Sequence, residues 1–329
     1  MDREHASAPP PVELHCLTNF SFLRGASHPE ELVDRAAELG YAALAITDEC
    51  SVAGVVRAYA RVRELERAGR FVPHLIVGTE LALEDGFRLV ALARDALAWQ
   101  RICALITAAR RAAPKGRYAL DERMVEAAEL APCALLLVPP YLPRQHETQE
   151  GHPPAGRLAE HRFAWARTLG PHVHLALELH HGPYDTKHRR WLFALSRHHG
   201  LPLVAANDVH QHARHRRALQ DVLTCIRHGC SLDQAGRRLL PNGERHLRSA
   251  ATLRELYPDE ALRNAARIAA DCTFSLGSLD YRYPREIVPR GSTPNGHLRR
   301  LVAEGARWRW PEGTPPAVAA RIERELALV

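Results

Sequence analysis

At 329 residues, 46% hydrophobic and 25% charged, the chain can bury one large core plus a smaller appendage, which excludes disorder as its default state. The formal charge of +6 comes from 44 basic and 38 acidic residues that are interspersed, so nucleic acid is permitted as a partner without being demanded. Seven scattered cysteines, never spaced C-x-x-C, argue against a disulfide framework or zinc ribbon and for a reducing cytoplasm; no apolar run reaches membrane-span length, and Met1 to Val12 lacks an export signal's apolar middle.

In chain order, apolar runs predict seven strands: Leu14–Leu17, Ala43–Thr47, Leu75–Leu81, Arg88–Arg94, Ala134–Pro139, Val173–Leu179 and Leu203–Ala206. Between most of them lie helical patterns: Pro29–Leu39 (Pro in the first turn after Ser27), Val52–Arg67, Leu97–Arg111, Leu158–Leu169 and Thr186–His199. Strands apolar on both faces and separated by helices are expected to run parallel with right-handed crossovers, and seven such units favour a closed α/β barrel over an open sheet. The pattern predicts a tail over 1–12, the barrel over 13–218, and a helical extension over 219–278 that includes Ala251–Cys272. Residues 279–329 read as a Pro- and Gly-rich linker and the start of another domain, with Val318, Ile322, Leu326 and Val329 on one helix face. The sequence ends on an apolar valine with no capping residue, as an unfinished chain would.

The chemistry-bearing residues gather where a barrel keeps its active site. His15, Asp48, Glu49, Glu80, His180, His181, Asn207, Asp208 and His210 all lie at or just beyond the carboxyl ends of predicted strands. Imidazole and carboxylate donors suit Zn, Mn or Fe, which activate water for phosphoester hydrolysis. The plainer alternatives are a helix cap at Asp48 and chance placement among 20 histidines. No phosphate-cradling Gly-rich loop and no G-x-S-x-G nucleophile turn is present. Basic clusters at Arg110, Arg111, Lys115 and Arg117, and at His212–Arg217 with Arg227, Arg237 and Arg238, are either nucleic-acid contacts or solvated helix faces.

The stretch ELHCLTNFSFLRGASHPEELVDRAAELGYAALAITDECSVAGVVRA closely resembles the opening of bacterial C-family DNA polymerases, where L-H-x-H-S-x-Y-S-x-L-D-G is followed by A-L-T-D-H. HLIVGTEL, RLVALARD and PLVAANDVHQHARHRRALQDVLTCIRHG extend the resemblance over nearly the whole chain, and RRAAPKGRYAL, PNGERHLRS and YRYPREIVP are similar to the error-prone branch. The resemblance implies a PHP (polymerase and histidinol phosphatase) domain, a distorted seven-stranded α/β barrel cut off before the palm. It implies a role in damage-induced mutagenesis and translesion synthesis, with Mg only in the palm. DNA, a sliding clamp and mutagenesis accessory proteins would be partners of the full-length protein. His15, Glu80, Asp208 and His210 match family metal ligands, whereas Leu17, Arg24, Glu49 and Arg88 stand where His, Asp, His and His belong, and a Cys ligand near Pro140 is missing. A degenerate site of His15, Glu49, Glu80, Asp208 and His210, with Zn or Mn as its candidate ion, is therefore expected to be opposed by Arg24 and Arg88. Those arginines are expected to pair with Glu49, Glu80 or Asp208 and leave the barrel a scaffold. A free-standing metal-dependent phosphoesterase and a partner-binding pseudoenzyme are the alternatives.

Overall fold

The computed structural model describes residues 9–83, 85–141, 155–280 and 288–329, with the side chains of 155–159 excepted. The chain divides into two compact units, Met1–Ser278 and Leu279–Val329.

In the first unit seven strands lie side by side in sequence order: β1 (Val12–Glu13), β2 (Ala43–Ile46), β3 (His74–Ala82), β4 (Arg88–Leu92), β5 (Ala134–Val138), β6 (Val173–Glu178) and β7 (Leu203–Ala206). Just past β1 and β7, Cys16 bridges Val209, the Leu17 N–H donating to the Val209 carbonyl at 2.8 Å and the Val209 N–H to the His15 carbonyl at 2.9 Å. These bonds bring the first and last strands together, so the sheet forms a distorted, nearly closed barrel. Its helices are α1 (Pro29–Glu38), α2 (Ala53–Arg67), α3 (Ala96–Arg111), α4 (Glu122–Ala127), α5 (Ala155–Thr168) and α6 (Asp185–His199). The extension adds α7 (Arg217–His228), α8 (Leu232–Ala235), α9 (Ala250–Leu256) and α10 (Asp259–Asp271).

Period-two alternation divides the strand residues between two cores. Leu44, Ile46, Val77, Leu89, Leu135 and Leu177 pack with the helices, whereas Ala43, Ala45, Ile76, Val90, Leu136 and Val204 form a second cluster. Ala265, Ile268 and Ala269 of α10 join that second cluster, so the extension contributes to the barrel's own core. Local signals start the helices. Pro29 opens α1 behind His28, which shares a capping box with Glu31, and Asp95 accepts from the Ala98 N–H to start α3.

Three expectations need correction. β4 is antiparallel to both β3 and β5, not parallel, because only residues 83–87 join β3 to β4, and a connection that short can make only a hairpin. The first strand pairs at Val12–Glu13, before the predicted Leu14–Leu17, while Cys16 serves the closing bridge. The expected linker is partly helical. Thr293 accepts from the Gly296 N–H and Pro294 occupies the first turn of α11 (Pro294–Arg309), so Pro-Asn-Gly begins a helix. In the second unit α11 is followed by α12 (Pro316–Leu328), and Leu298, Val302, Val318, Ile322 and Leu326 line an apolar groove. Most of the predicted tail (1–8) and residues 281–287 of the linker fall outside the described residues. Among the described residues no helix is long and apolar enough to cross a membrane.

Candidate functional site

Asp48, two residues past the end of β2, anchors the loop that follows His15. Its carboxylate accepts from the Thr18 N–H (2.8 Å) and hydroxyl (2.8 Å) and from the Ser21 N–H (3.1 Å) and hydroxyl (2.7 Å). It is not a helix cap; the cap position of α2 is Val52, which offers no side-chain cap. Gly25 closes the same loop against Thr18, whose carbonyl oxygen would lie 1.9 Å from any Cβ placed there. Leu23 (φ 59°), Cys50 (φ 45°) and Asp208 (φ 45°) hold left-handed backbone beside or within this region, a conformation costing about 1–3 kcal/mol apiece unless the surroundings enforce it.

The loop delivers Arg24 to a cluster of charges at the barrel mouth. Its Nη1 donates to Glu49 Oε2 (2.6 Å) and Glu80 Oε1 (2.5 Å). Arg88, the first residue of β4, donates through Nη1 to Glu80 Oε2 (2.8 Å) and Asp208 Oδ2 (2.9 Å), and through Nη2 to Glu178 Oε2 (2.9 Å). Arg245 also donates to Asp208 Oδ2. The His15 ring lies between Glu178 Oε1 (2.7 Å from Nδ1) and Glu80 Oε2 (2.8 Å from Nε2). A neutral imidazole can donate through only one nitrogen, so this placement favours the imidazolium. Four carboxylates thus face three guanidiniums and one imidazolium.

The protonation equilibria agree with that count. Burial alone would lower the His15 pKa, but Glu178 and then Glu80 override it and hold the value raised. Burial works against ionised Glu80 and Glu178 as well. Arg24 and Arg88 hold Glu80 well below the carboxylate range, and Arg88 with His15 holds Glu178 at about 2. Burial, followed by the charge of Arg88, pushes Arg245 down to about 9, still protonated at neutral pH. His210 and His180 are neutral, each pushed well down by burial, with Arg24 the next cause for His210 and Arg245 for His180.

The structure therefore brings together His15, Arg24, Glu49, Glu80, Arg88, Asp208 and His210. His210 Nε2 lies 3.0 Å from Asp208 Oδ1. His180 is buried near Glu178 and Asp208, whereas His181 is exposed. Asn207 is a buried support: its side-chain amide donates to Glu13 (2.6 Å) and its oxygen accepts from Arg248 (3.0 Å) and Tyr257 (3.0 Å). Three participants were not anticipated. Glu178 closes β6, Arg245 lies in the PNGERHLRS segment, and the Tyr118 hydroxyl donates to Glu49 (2.9 Å). Glu178 had a signal, a carboxylate ending an apolar run; Arg245 and Tyr118 had none.

Donor spacing alone would allow a metal, since atoms of His15, Glu80 and Asp208 lie within 4.8 Å of one another, as do atoms of Glu178, His180 and Asp208. Occupancy of the lone pairs argues against it. Each oxygen of Glu80, Glu178 and Asp208 already faces an arginine or histidine nitrogen, and a cation entering here would have to displace a guanidinium or lie beside it. These residues do not fit a resident multi-metal centre.

The family profile for the PHP domain matches residues 13–137, the span from β1 into β5. Over that span the chain resembles a PHP domain. It is also 47% identical over 319 residues to a protein named error-prone DNA polymerase from Alkalilimnicola ehrlichii, and 46% identical over 329 residues to one of that name from Pseudomonas syringae. These alignments take in 97% and 100% of this chain but only 29% and 30% of the relatives, so the chain spans about three tenths of their length. A solved structure from Bifidobacterium adolescentis, assigned as a metal-dependent phosphoesterase, is a distant likeness at 16% identity and a TM-score of 0.44, covering 76% of this chain and 96% of its own.

Proposed function

We propose that this chain is the amino-terminal PHP region of an error-prone DNA polymerase and that its barrel is a structural scaffold, without phosphoesterase or polymerase activity of its own. The observation that carries the scaffold reading is the saturation of Glu80, Glu178 and Asp208 by Arg24, Arg88, Arg245 and the two histidines. A buried network satisfied in this way is rigid, and removal of any one partner leaves a costly unpaired charge. In the longer protein, nucleotide addition with Mg belongs to segments beyond this one. DNA, a sliding clamp and mutagenesis accessory proteins are its partners in cytoplasmic translesion synthesis after damage.

The spacing of His15, Glu80 and Asp208 favours a second reading, a free-standing metal-dependent phosphoesterase that holds Zn or Mn at the mouth. Elemental analysis for Zn, Mn and Fe on the chain and on Asp208→Ala, with hydrolysis of a generic phosphodiester before and after chelation, separates the two. The scaffold reading expects no Asp208-dependent metal and no chelator-sensitive hydrolysis. Stoichiometric metal and hydrolysis, both lost in Asp208→Ala, would establish the phosphoesterase instead.

A further inference from the structure

We propose that Glu160 on α5 and His198 and His199 at the end of α6 form a binding site for one divalent transition ion of the zinc type, separate from the barrel mouth. Glu160 Oε2 lies 3.2 Å from His199 Nε2 and 3.8 Å from His198 Nε2, and the three donor atoms all fall within 4.8 Å of one another. An ion with four ligands at about 2.0–2.1 Å holds its donor atoms roughly 3.3 Å apart, so only small side-chain movements would complete the triad.

His199 points to a ligand independently. The residue is only 8% exposed, and among the described residues its buried Nε2 makes no hydrogen bond although it faces the Glu160 carboxylate. A buried polar atom left without a hydrogen bond is costly, and an ion at this point would satisfy it. The ring is also fixed in place, stacked on Phe163 with centroids 5.0 Å apart and planes at 29°, which reduces the ordering needed on binding. His198 is well exposed, so the ion has a route from solvent and room for water as a fourth ligand. Two imidazoles and one carboxylate select Zn, Ni or Cu over Mg or Ca. Among the described residues the ion pairs of Glu160 are both with these histidines, whereas at the mouth the carboxylates are held by guanidiniums. Bound metal would tie the early part of α5 to the end of α6.

Equilibrium dialysis of the full chain against Zn²⁺, followed by elemental analysis, tests the site. One equivalent is expected in the parent and in Asp208→Ala, with affinity at least about tenfold weaker in Glu160→Gln and in His199→Ala. Zn²⁺ should raise the melting temperature of the parent but not of Glu160→Gln, a nearly isosteric change at an exposed position that protects the test from the chance that His199→Ala folds poorly. Absence of retained zinc overturns the proposal, as does zinc held equally by both variants, which would mark adventitious binding to other histidines. Zinc lost in Asp208→Ala alone would overturn both this site and the scaffold reading.

Discussion

The barrel mouth and the α5–α6 flank both bring histidine and carboxylate within metal-binding distance, yet they differ in what else touches the donors. At the mouth, Arg24, Arg88 and Arg245 occupy the carboxylate oxygens; on the flank, Glu160 pairs with imidazoles alone among the described residues. Ligand types and spacing are therefore insufficient to define a metal centre. The charge of the surrounding shell decides whether a cation gains or loses by entering.

The largest effect that could break this comparison is at Arg88, which contacts three carboxylates while largely buried. Arg88→Ala leaves Glu80, Glu178 and Asp208 undercompensated, and a loss of about 3–5 kcal/mol is expected in urea unfolding. Arg24→Ala should cost less, about 1–3 kcal/mol, because its partner Glu49 is 26% exposed and water can take over part of the guanidinium's role. Equal and small losses from both changes would mean that packing, not charge, holds the mouth together.

A second experiment converts one region into the other. Arg88→Ala opens a cation-sized gap lined by His15, Glu80, Glu178 and Asp208, so Zn²⁺ or Mn²⁺ should bind there and recover part of the lost stability. The parent mouth should not respond to the same ions. If Arg88→Ala also fails to respond, the arginine is not what excludes metal.

How much of this was readable in advance depended on how local the signal was. The seven strands were visible as apolar runs because both barrel faces are buried, but direction was not. β4 turns back because residues 83–87 leave no room for a crossover, a constraint of connection length that apolar pattern does not express. At the mouth, residues following a strand end, such as Asp208 and Glu49, were visible as polar interruptions. Arg245 comes 37 residues after the Asp208 it binds, in a loop brought there by the pairing of Gln211 with His246, and nothing in its neighbours announces that contact. Asp48 looked like a cap because a carboxylate after a strand often is one; here the loop from Thr18 to Ser21 claims it first.

The coupled charges also predict a pH signature, with two limbs of opposite origin. The His15 pKa is raised above its ordinary 6.5, so its contribution is complete below pH 6.5 and is lost as pH rises through the folded-state value. The Glu178 pKa is lowered from 4.5 to about 2, so its contribution is complete above pH 4.5 and disappears as pH falls toward 2; the linkage amounts to on the order of 3 kcal/mol. Buried Glu13 and Asp48 have raised values and pull the other way under acid, so each limb is best read as a difference from a variant. The parent should lose more stability than His15→Gln between pH 6 and 9, and more than Glu178→Gln between pH 5 and 2. Parallel profiles would show that the mouth does not depend on these ionised forms.

The smallest expected effect is the most discriminating for the flank. Without added metal, Glu160→Gln should leave stability within about 0.5 kcal/mol of the parent, because an exposed carboxylate beside an exposed His198 contributes little as an ion pair. The parallel change at the mouth, Glu80→Gln, removes charge from a fully buried group that faces two guanidiniums and His15, and should cost several-fold more. The same Glu-to-Gln change thus separates a carboxylate that the fold already uses from one whose partner has yet to bind. A large metal-free loss in Glu160→Gln would place Glu160 among the structural charges and remove the distinction between the two regions.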